Sequence, residues 1–177
     1  MMELPDSRVV FDRERIQQAI DGLADQVNAR CAPNEWTLMC IMNGALMFAA
    51  ELMRRLTFPL RLDAVRVTRY HDTTSGSELH WHSRPESTVD GSRILLVDDI
   101  FDEGETLKQL TDYLRSQGAV EILSVVLVEK RHDRKVGGYR PDLVGLECAD
   151  AYVFGFGMDY QGRFRQLEDI RELTGDS

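Results

Sequence analysis

No stretch of this chain approaches the roughly 20 consecutive apolar residues that a membrane span requires. The opening Met-Met-Glu-Leu-Pro-Asp has neither the basic nor the apolar region of a secretory signal, so no targeting segment is expected. Cysteine is scarce. Cys31, Cys40 and Cys148 are odd in number and form no Cys-x-x-Cys pair, which argues against a disulfide framework and for a reducing, cytoplasmic setting. Cys40 and Cys148 lie in apolar stretches and read as small core residues. Internal repeats, low-complexity tracts and Pro/Gly-rich linkers are missing too, so the 177 residues read as one domain. Positive charge is the minority: 21 Lys and Arg against 30 Asp and Glu leave a formal charge of −9. That balance argues against a nucleic-acid or anionic-membrane partner, either of which needs a basic face. Anionic small molecules stay compatible, because backbone N–H groups, a helix N-terminus and a metal ion hold phosphate inside an acidic protein.

What the chain does contain is an alternation of apolar runs and helical periodicities. Asp12 is placed to cap a helix in which Ile16, Ala19, Ile20, Leu23 and Val27 recur at helical spacing. Trp36 to Met42 reads as a strand ending at an Asn43-Gly44 turn, and Gly44 to Leu56 as a mostly apolar helix. Leu62 to Thr68 is a further strand. The polar stretch from Arg69 to Arg84 reads as a long excursion, an extended hairpin of the kind that serves as a lid. Ile94 to Val97 suits a strand buried on both faces. A helix from about Glu105 to Ser116 follows, ended by Gly118. Ile122 to Val128, Leu143 to Leu146 and Tyr152 to Phe156 are the remaining strand candidates. The expected fold is α/β: a mostly parallel central sheet flanked by helices, with ligands at the carboxyl ends of the strands.

The informative stretch is Ile94-Leu-Leu-Val-Asp-Asp-Ile-Phe-Asp-Glu-Gly-Glu-Thr106. It runs from a buried strand through three acids into a helix start. Adjacent carboxylates such as Asp98 and Asp99 are costly to desolvate without a partner, and sugar hydroxyls or Mg²⁺ are suitable partners. The turn from Asp102 to Thr106 exposes free backbone N–H groups at a helix N-terminus, a phosphate-binding geometry to which Thr106 adds a hydroxyl. The plain alternative is an acidic loop with a helix cap, since Asp and Glu favour helix N-termini without any function.

This string resembles the phosphoribosyl-diphosphate signature of the type I phosphoribosyltransferases. The stretches Val128-Glu-Lys130-Arg131, Tyr139-Arg-Pro-Asp-Leu-Val-Gly145 and Tyr152-Val-Phe-Gly-Phe-Gly-Met-Asp-Tyr160, followed by Phe164-Arg165, are similar to the hypoxanthine-guanine branch in the same order. The resemblance runs from about Trp36 to Ile170. It implies that 5-phosphoribosyl 1-diphosphate and a 6-oxopurine are the substrates, in a Mg²⁺-dependent salvage reaction releasing IMP or GMP and pyrophosphate. Asp98 and Asp99 would hold the ribose hydroxyls, directly or through Mg²⁺. Asp102 would be the general base near N7 of the purine. Glu103, Gly104, Glu105 and Thr106 would cradle the 5′-phosphate. Lys130 would donate to the 6-oxo group, Tyr152 would stack on the ring, and the Val153 backbone would read its edge. Asp159 would bind a second Mg²⁺, and Arg165 would contact pyrophosphate. Met42, Asn43 and Gly44 would form the pyrophosphate loop, and Tyr70 would belong to the lid. Relatives of this kind form dimers or tetramers, so a homo-oligomer is implied.

Two positions depart from the family pattern. Ser or Thr is common where Glu103 stands, and Lys is common where Asn43 stands. With two acids flanking the phosphate turn, Glu103 and Glu105 are expected to point outward and leave binding to backbone amides. Single residues have plainer readings: Lys130 beside Arg131 as a solvated pair, Asp159 as a helix cap, Arg165 as a surface charge on a last helix, Tyr152 or Phe156 as core aromatics. His80-Trp-His82 lacks a third metal ligand at sensible spacing. Two other functions remain open: transfer to a different base, xanthine or a pyrimidine, and a ligand-sensing regulator that keeps the fold and binds nucleic acid.

Overall fold

The computed structural model describes residues 3–69 and 79–174. Six strands form the main sheet: β2 (Trp36–Ile41), β3 (Leu60–Arg69), β4 (Leu79–Ser83), β5 (Arg93–Phe101), β6 (Glu121–Lys130) and β7 (Leu143–Cys148), following an N-terminal strand β1 (Ser7–Phe11). Their spatial order is β4-β3-β2-β5-β6-β7. Every neighbouring pair is parallel except β3 and β4, which form an antiparallel hairpin arm. That arm is the beginning and end of the expected excursion; its tip, including Tyr70, lies outside the described residues.

The alternation of side chains explains why the central strands are apolar throughout. On β5, Leu95 and Val97 join one core while Ile94 and Leu96 join the other; on β2, Leu38 and Cys40 divide in the same way from Met39 and Ile41. Helices α1 (Arg13–Cys31) and α2 (Leu46–Met53) cover the first face, and α3 (Glu105–Ser116) covers the second. Asp12 caps α1, its carboxylate accepting from Arg15 N–H at 2.8 Å. Gly118, at φ 93°, turns the chain out of α3. No helix among the described residues is long and apolar enough to cross a membrane.

The C-terminal region differs from expectation. No last helix carries Arg165 and none is capped by Asp159 among the described residues. The chain instead forms two short strands, β8 (Val153–Phe154) and β9 (Ile170–Leu173), joined by turns. Together with β1 they make a three-stranded antiparallel sheet in the order β1-β9-β8. Its buried residues Val153, Phe156, Met158 and Ile170 belong to the core that α1 and α2 cover. Phe156 is therefore a core aromatic, whereas Tyr152 is 49% exposed.

The sheet order reverses between β2 and β5: the chain leaves β2 for β3 on one side and later enters β5 on the other. A crevice opens beyond the carboxyl ends of two strands at such a reversal, because their connections diverge. Both sequence motifs sit there, the 42–44 turn after β2 and the 98–106 string along and after β5.

Candidate active site

β5 does not stop at the acids; it continues through Asp98, Asp99 and Ile100 to Phe101. Asp98 is buried and Asp99 half-buried. Their carboxylates bond to the nearest backbone, Asp98 Oδ1 accepting from Asp99 N–H and Asp99 Oδ1 from Ile100 N–H, each at 3.0 Å. Burial pushes Asp98 well above the usual carboxylate range, and the neighbouring Asp99 charge adds to it. Burial also raises Asp99, with the Arg165 charge among the groups opposing it. An all-oxygen carboxylate pair desolvated in this way fits a hard divalent cation, which would stabilise the charged form.

The turn after β2 packs directly on this pair. A Cβ at Gly44 would overlap the Asp99 carboxylate, so the close approach requires glycine. The Met42–Asn43 peptide is cis, Met42 is half-buried and Asn43 is exposed. Gly157, at φ 101°, abuts the Gly44 carbonyl, which ties the segment between β8 and β9 to the same turn. In that segment Arg165 donates to the Gly157 carbonyl at 2.6 Å and to Asp159 Oδ1 at 2.5 Å. Asp159 Oδ2 accepts from Gly162 N–H at 2.8 Å, so both of its oxygens are engaged. The Tyr152 hydroxyl donates to the Asp159 carbonyl at 2.9 Å, holding the exposed ring in place. Val153 is buried on β8.

On the other side of the pair lies a cavity of about 240 Å³, bordered by Ile41 and by residues 98 to 107. Glu103, Glu105 and Thr106 are half-buried at its edge. Gly104, at φ 85°, begins α3; its left-handed backbone and its contact with the Phe101 ring both exclude a Cβ. The first turn of α3 therefore borders this cavity, and a helix N-terminus is a position that favours an anion.

Asp102 stands at the cavity's rim between two donors. Lys130 Nζ, from the end of the adjacent strand β6, donates to Oδ2 at 2.8 Å, and His132 Nε2 lies 2.7 Å from Oδ1. Burial pushes Asp102 up, but the hydrogen bond and charge of Lys130 and the hydrogen bond of His132 outweigh it and hold the carboxyl below its ordinary value. Lys135 supports the same loop from beneath. Its Nζ donates to the carbonyls of Phe101 (3.2 Å), Asp102 (2.8 Å) and Lys130 (2.7 Å), and sits 4.3 Å from the Phe101 ring centroid. His132 and Lys135 are both absent from the sequence-derived candidates. A lone histidine after a basic pair carries no spacing signal, and Lys135 acts through backbone atoms that only the fold brings together. Asp102, His132 and Asp150 bring ligand atoms within 4.8 Å of one another. Lys130 already pairs with Asp102, and Arg134 forks onto Asp150 at 2.7 and 3.0 Å, so the cluster is an ion-pair network.

The structure thus gathers residues 42–44, 98–106, 130, 159 and 165 around one crevice, with Tyr152 fixed to the Asp159 segment. Comparison with known proteins shows the family. The model of the phosphoribosyl transferase domain matches residues 9–162. A hypoxanthine-guanine phosphoribosyltransferase of Bacillus subtilis is 32% identical over 174 residues, covering 98% of this chain and 96% of that protein. A hypoxanthine-guanine-xanthine phosphoribosyltransferase of Tritrichomonas foetus is 26% identical over 92% of this chain and 89% of its own. The crystal structure of a hypoxanthine phosphoribosyltransferase from Staphylococcus aureus superposes with a TM-score of 0.88 at 28% identity, covering 94% of this chain and 91% of that one. Sequence, fold and crevice together place the chain in the phosphoribosyl transferase domain family, in the branch whose relatives are hypoxanthine-guanine phosphoribosyltransferases.

Proposed function

We propose that this enzyme joins hypoxanthine or guanine to 5-phosphoribosyl 1-diphosphate, forming IMP or GMP and releasing pyrophosphate. The observation that carries this reading is the Asp102 carboxylate held against Lys130 at the rim of a cavity that is also bordered by the Asp98–Asp99 pair and the first turn of α3. Asp98 and Asp99 hold the ribose hydroxyls and a Mg²⁺ ion. When bound, that ion neutralises charge developing on the departing pyrophosphate. Backbone N–H groups of residues 103–106 and the Thr106 hydroxyl bind the 5′-phosphate, with the Glu103 and Glu105 carboxylates turned away from it. The 42–44 turn and Arg165 receive pyrophosphate, for which Arg165 exchanges its bond to Asp159. Asp159 would hold a second Mg²⁺ on the pyrophosphate side. Tyr152 stacks on the purine, the Val153 backbone reads its edge, and Lys130 donates to the 6-oxo group. The purine's ring nitrogen attacks C1 as the C1–O bond to pyrophosphate breaks, and Asp102 accepts the N7 proton. Tyr70 and its lid exclude water. The chain works as one cytoplasmic domain in a homodimer or homotetramer; its three buried, unpaired cysteines support a reducing compartment.

The test is a panel of hypoxanthine, guanine, xanthine, adenine and uracil, each with the sugar diphosphate and Mg²⁺, the nucleotide product being read by chromatography. Product from hypoxanthine or guanine, abolished by EDTA and restored by Mg²⁺, is expected. Turnover of uracil alone overturns the base assignment. Xanthine belongs in the panel because the Tritrichomonas foetus relative carries it in its name.

Gly44→Ala tests the pyrophosphate side. The added methyl must displace either the turn or the Asp99 carboxylate. Misplacement of reacting groups by about 1 Å costs roughly 10²-fold in rate, so kcat/KM for the sugar diphosphate is expected to fall by about that factor. An unchanged kcat/KM in the folded variant would show that neither group binds this substrate.

A further inference from the structure

We propose that His132 is a positioning residue for Asp102: it pins Oδ1 so that Oδ2 is the oxygen presented to the purine. This rests on the reading of Asp102 as the general base. In the structure the two oxygens have different partners, Lys130 on Oδ2 and His132 on Oδ1. The partners also differ in what substrate binding does to them. Lys130 is the group drawn to the 6-oxo oxygen, and its departure frees Oδ2. His132 has no such competing partner and keeps Oδ1 in place.

The local geometry sets His132 up for this task. Its side chain is only 5% exposed, so it does not exchange with water as a surface histidine would. The Arg134 backbone N–H donates to His132 Nδ1 at 3.1 Å. That contact assigns the ring proton to Nε2, the nitrogen facing Asp102, so the ring is a donor to the carboxylate. Arg134 is itself anchored by its fork onto Asp150. The charged groups facing the pair are Lys130 at the end of β6, Arg134 and Lys135 in the loop that follows, and Asp150 beyond β7. The Asp102 side chain is 42% exposed, so without His132 the freed carboxylate has open space in which to rotate. A carboxylate held by one fixed donor is the preorganised state that proton transfer requires.

The test compares His132→Leu, which removes the donor, with His132→Gln, whose amide nitrogen reaches about as far as Nε2. Steady-state kcat and KM, the pH profile of kcat and thermal melting are measured on each. His132→Leu is expected to lower kcat by about tenfold or more, with KM for the sugar diphosphate within about twofold of wild type. Loss of a donor to the charged carboxylate raises its pKa, so the acidic limb of kcat moves to higher pH. His132→Gln is expected to recover most of the rate and the original limb. Should His132→Leu melt too low to assay, His132→Asn, whose shorter amide stops short of Oδ1, replaces it. Wild-type kcat and limb in the donor-free variant overturn the proposal. So does an equal loss in both variants with an unmoved limb, which marks a purely structural histidine. A wild-type enzyme inactive on every base, or an Asp102→Asn variant of undiminished kcat, instead overturns the function on which the proposal rests.

Discussion

Asp102→Asn is expected to lower kcat by about 10²–10⁴-fold, the range over which general acid–base assistance operates, while leaving KM for the sugar diphosphate near wild type. Asparagine keeps the shape of the side chain, and its one amide oxygen can still accept from Lys130 or from His132, so the loop should remain folded. What it loses is the capacity to take a proton. Because Lys130 and His132 hold the free carboxyl below its ordinary value, Asp102 is a weak base before substrate arrives. Withdrawal of Lys130 to the purine removes a depressing partner and strengthens that base when it is needed. The consequence is measurable in the wild type. The acidic limb of kcat/KM reports free enzyme and that of kcat reports the bound complex. The kcat limb should therefore lie at the higher pH. Coincident limbs would mean that Lys130 stays on Asp102 throughout, and an Asp102→Asn variant with undiminished kcat would remove Asp102 from the chemistry.

The parts of this machinery differ in how far they could be read from the chain alone. β5 was legible because Ile94 to Val97 form an apolar run, and α3 because an acidic, glycine-containing turn precedes a helical period. The continuation of β5 through Asp98 to Phe101 was not, since two carboxylates break the pattern that marks a buried strand. β1 and β9 are five and four residues long and lie in a small antiparallel sheet. Ser-Arg-Val-Val-Phe and Ile-Arg-Glu-Leu hold too few alternations to declare a strand. Gly44 and Gly157 were visible as turn residues, but their mutual contact, which fastens the C-terminal segment to the 42–44 turn, is a property of packing. Arg165 was legible as a site residue only through the family resemblance. Its bonds to Asp159 and Gly157 arise because the chain turns back between β8 and β9, where the sequence reading placed a helix as the plainer alternative.

Lys135→Met should produce the largest loss of stability, about 2–4 kcal/mol by urea denaturation, for a reason that no sequence pattern announces. The Lys135 side chain is 5% exposed, and its ammonium bonds three carbonyls belonging to two different strand ends, Phe101 as the last residue of β5, Asp102 just beyond it, and Lys130 at the end of β6. Burial pulls its pKa below the usual lysine range, and Glu129 at 3.5 Å opposes that pull. Methionine retains most of the aliphatic stem and its packing on the Phe101 ring, so the substitution isolates the ammonium. Hydrogen bonds to a charged group contribute about 1.5–3 kcal/mol and a carbonyl left unsatisfied costs about 1–3 kcal/mol. Relaxation of the loop and entry of water recover part of that sum, which brings the net loss to about 2–4 kcal/mol. For a chain of this size, that corresponds to a melting temperature lower by about 4–16 °C. The same loop carries Asp102 and Lys130, so kcat should fall alongside stability even at temperatures where the variant is fully folded. A loss below about 1 kcal/mol would show that the three carbonyls find water as readily as they find lysine. The strand ends would then be held by the sheet alone.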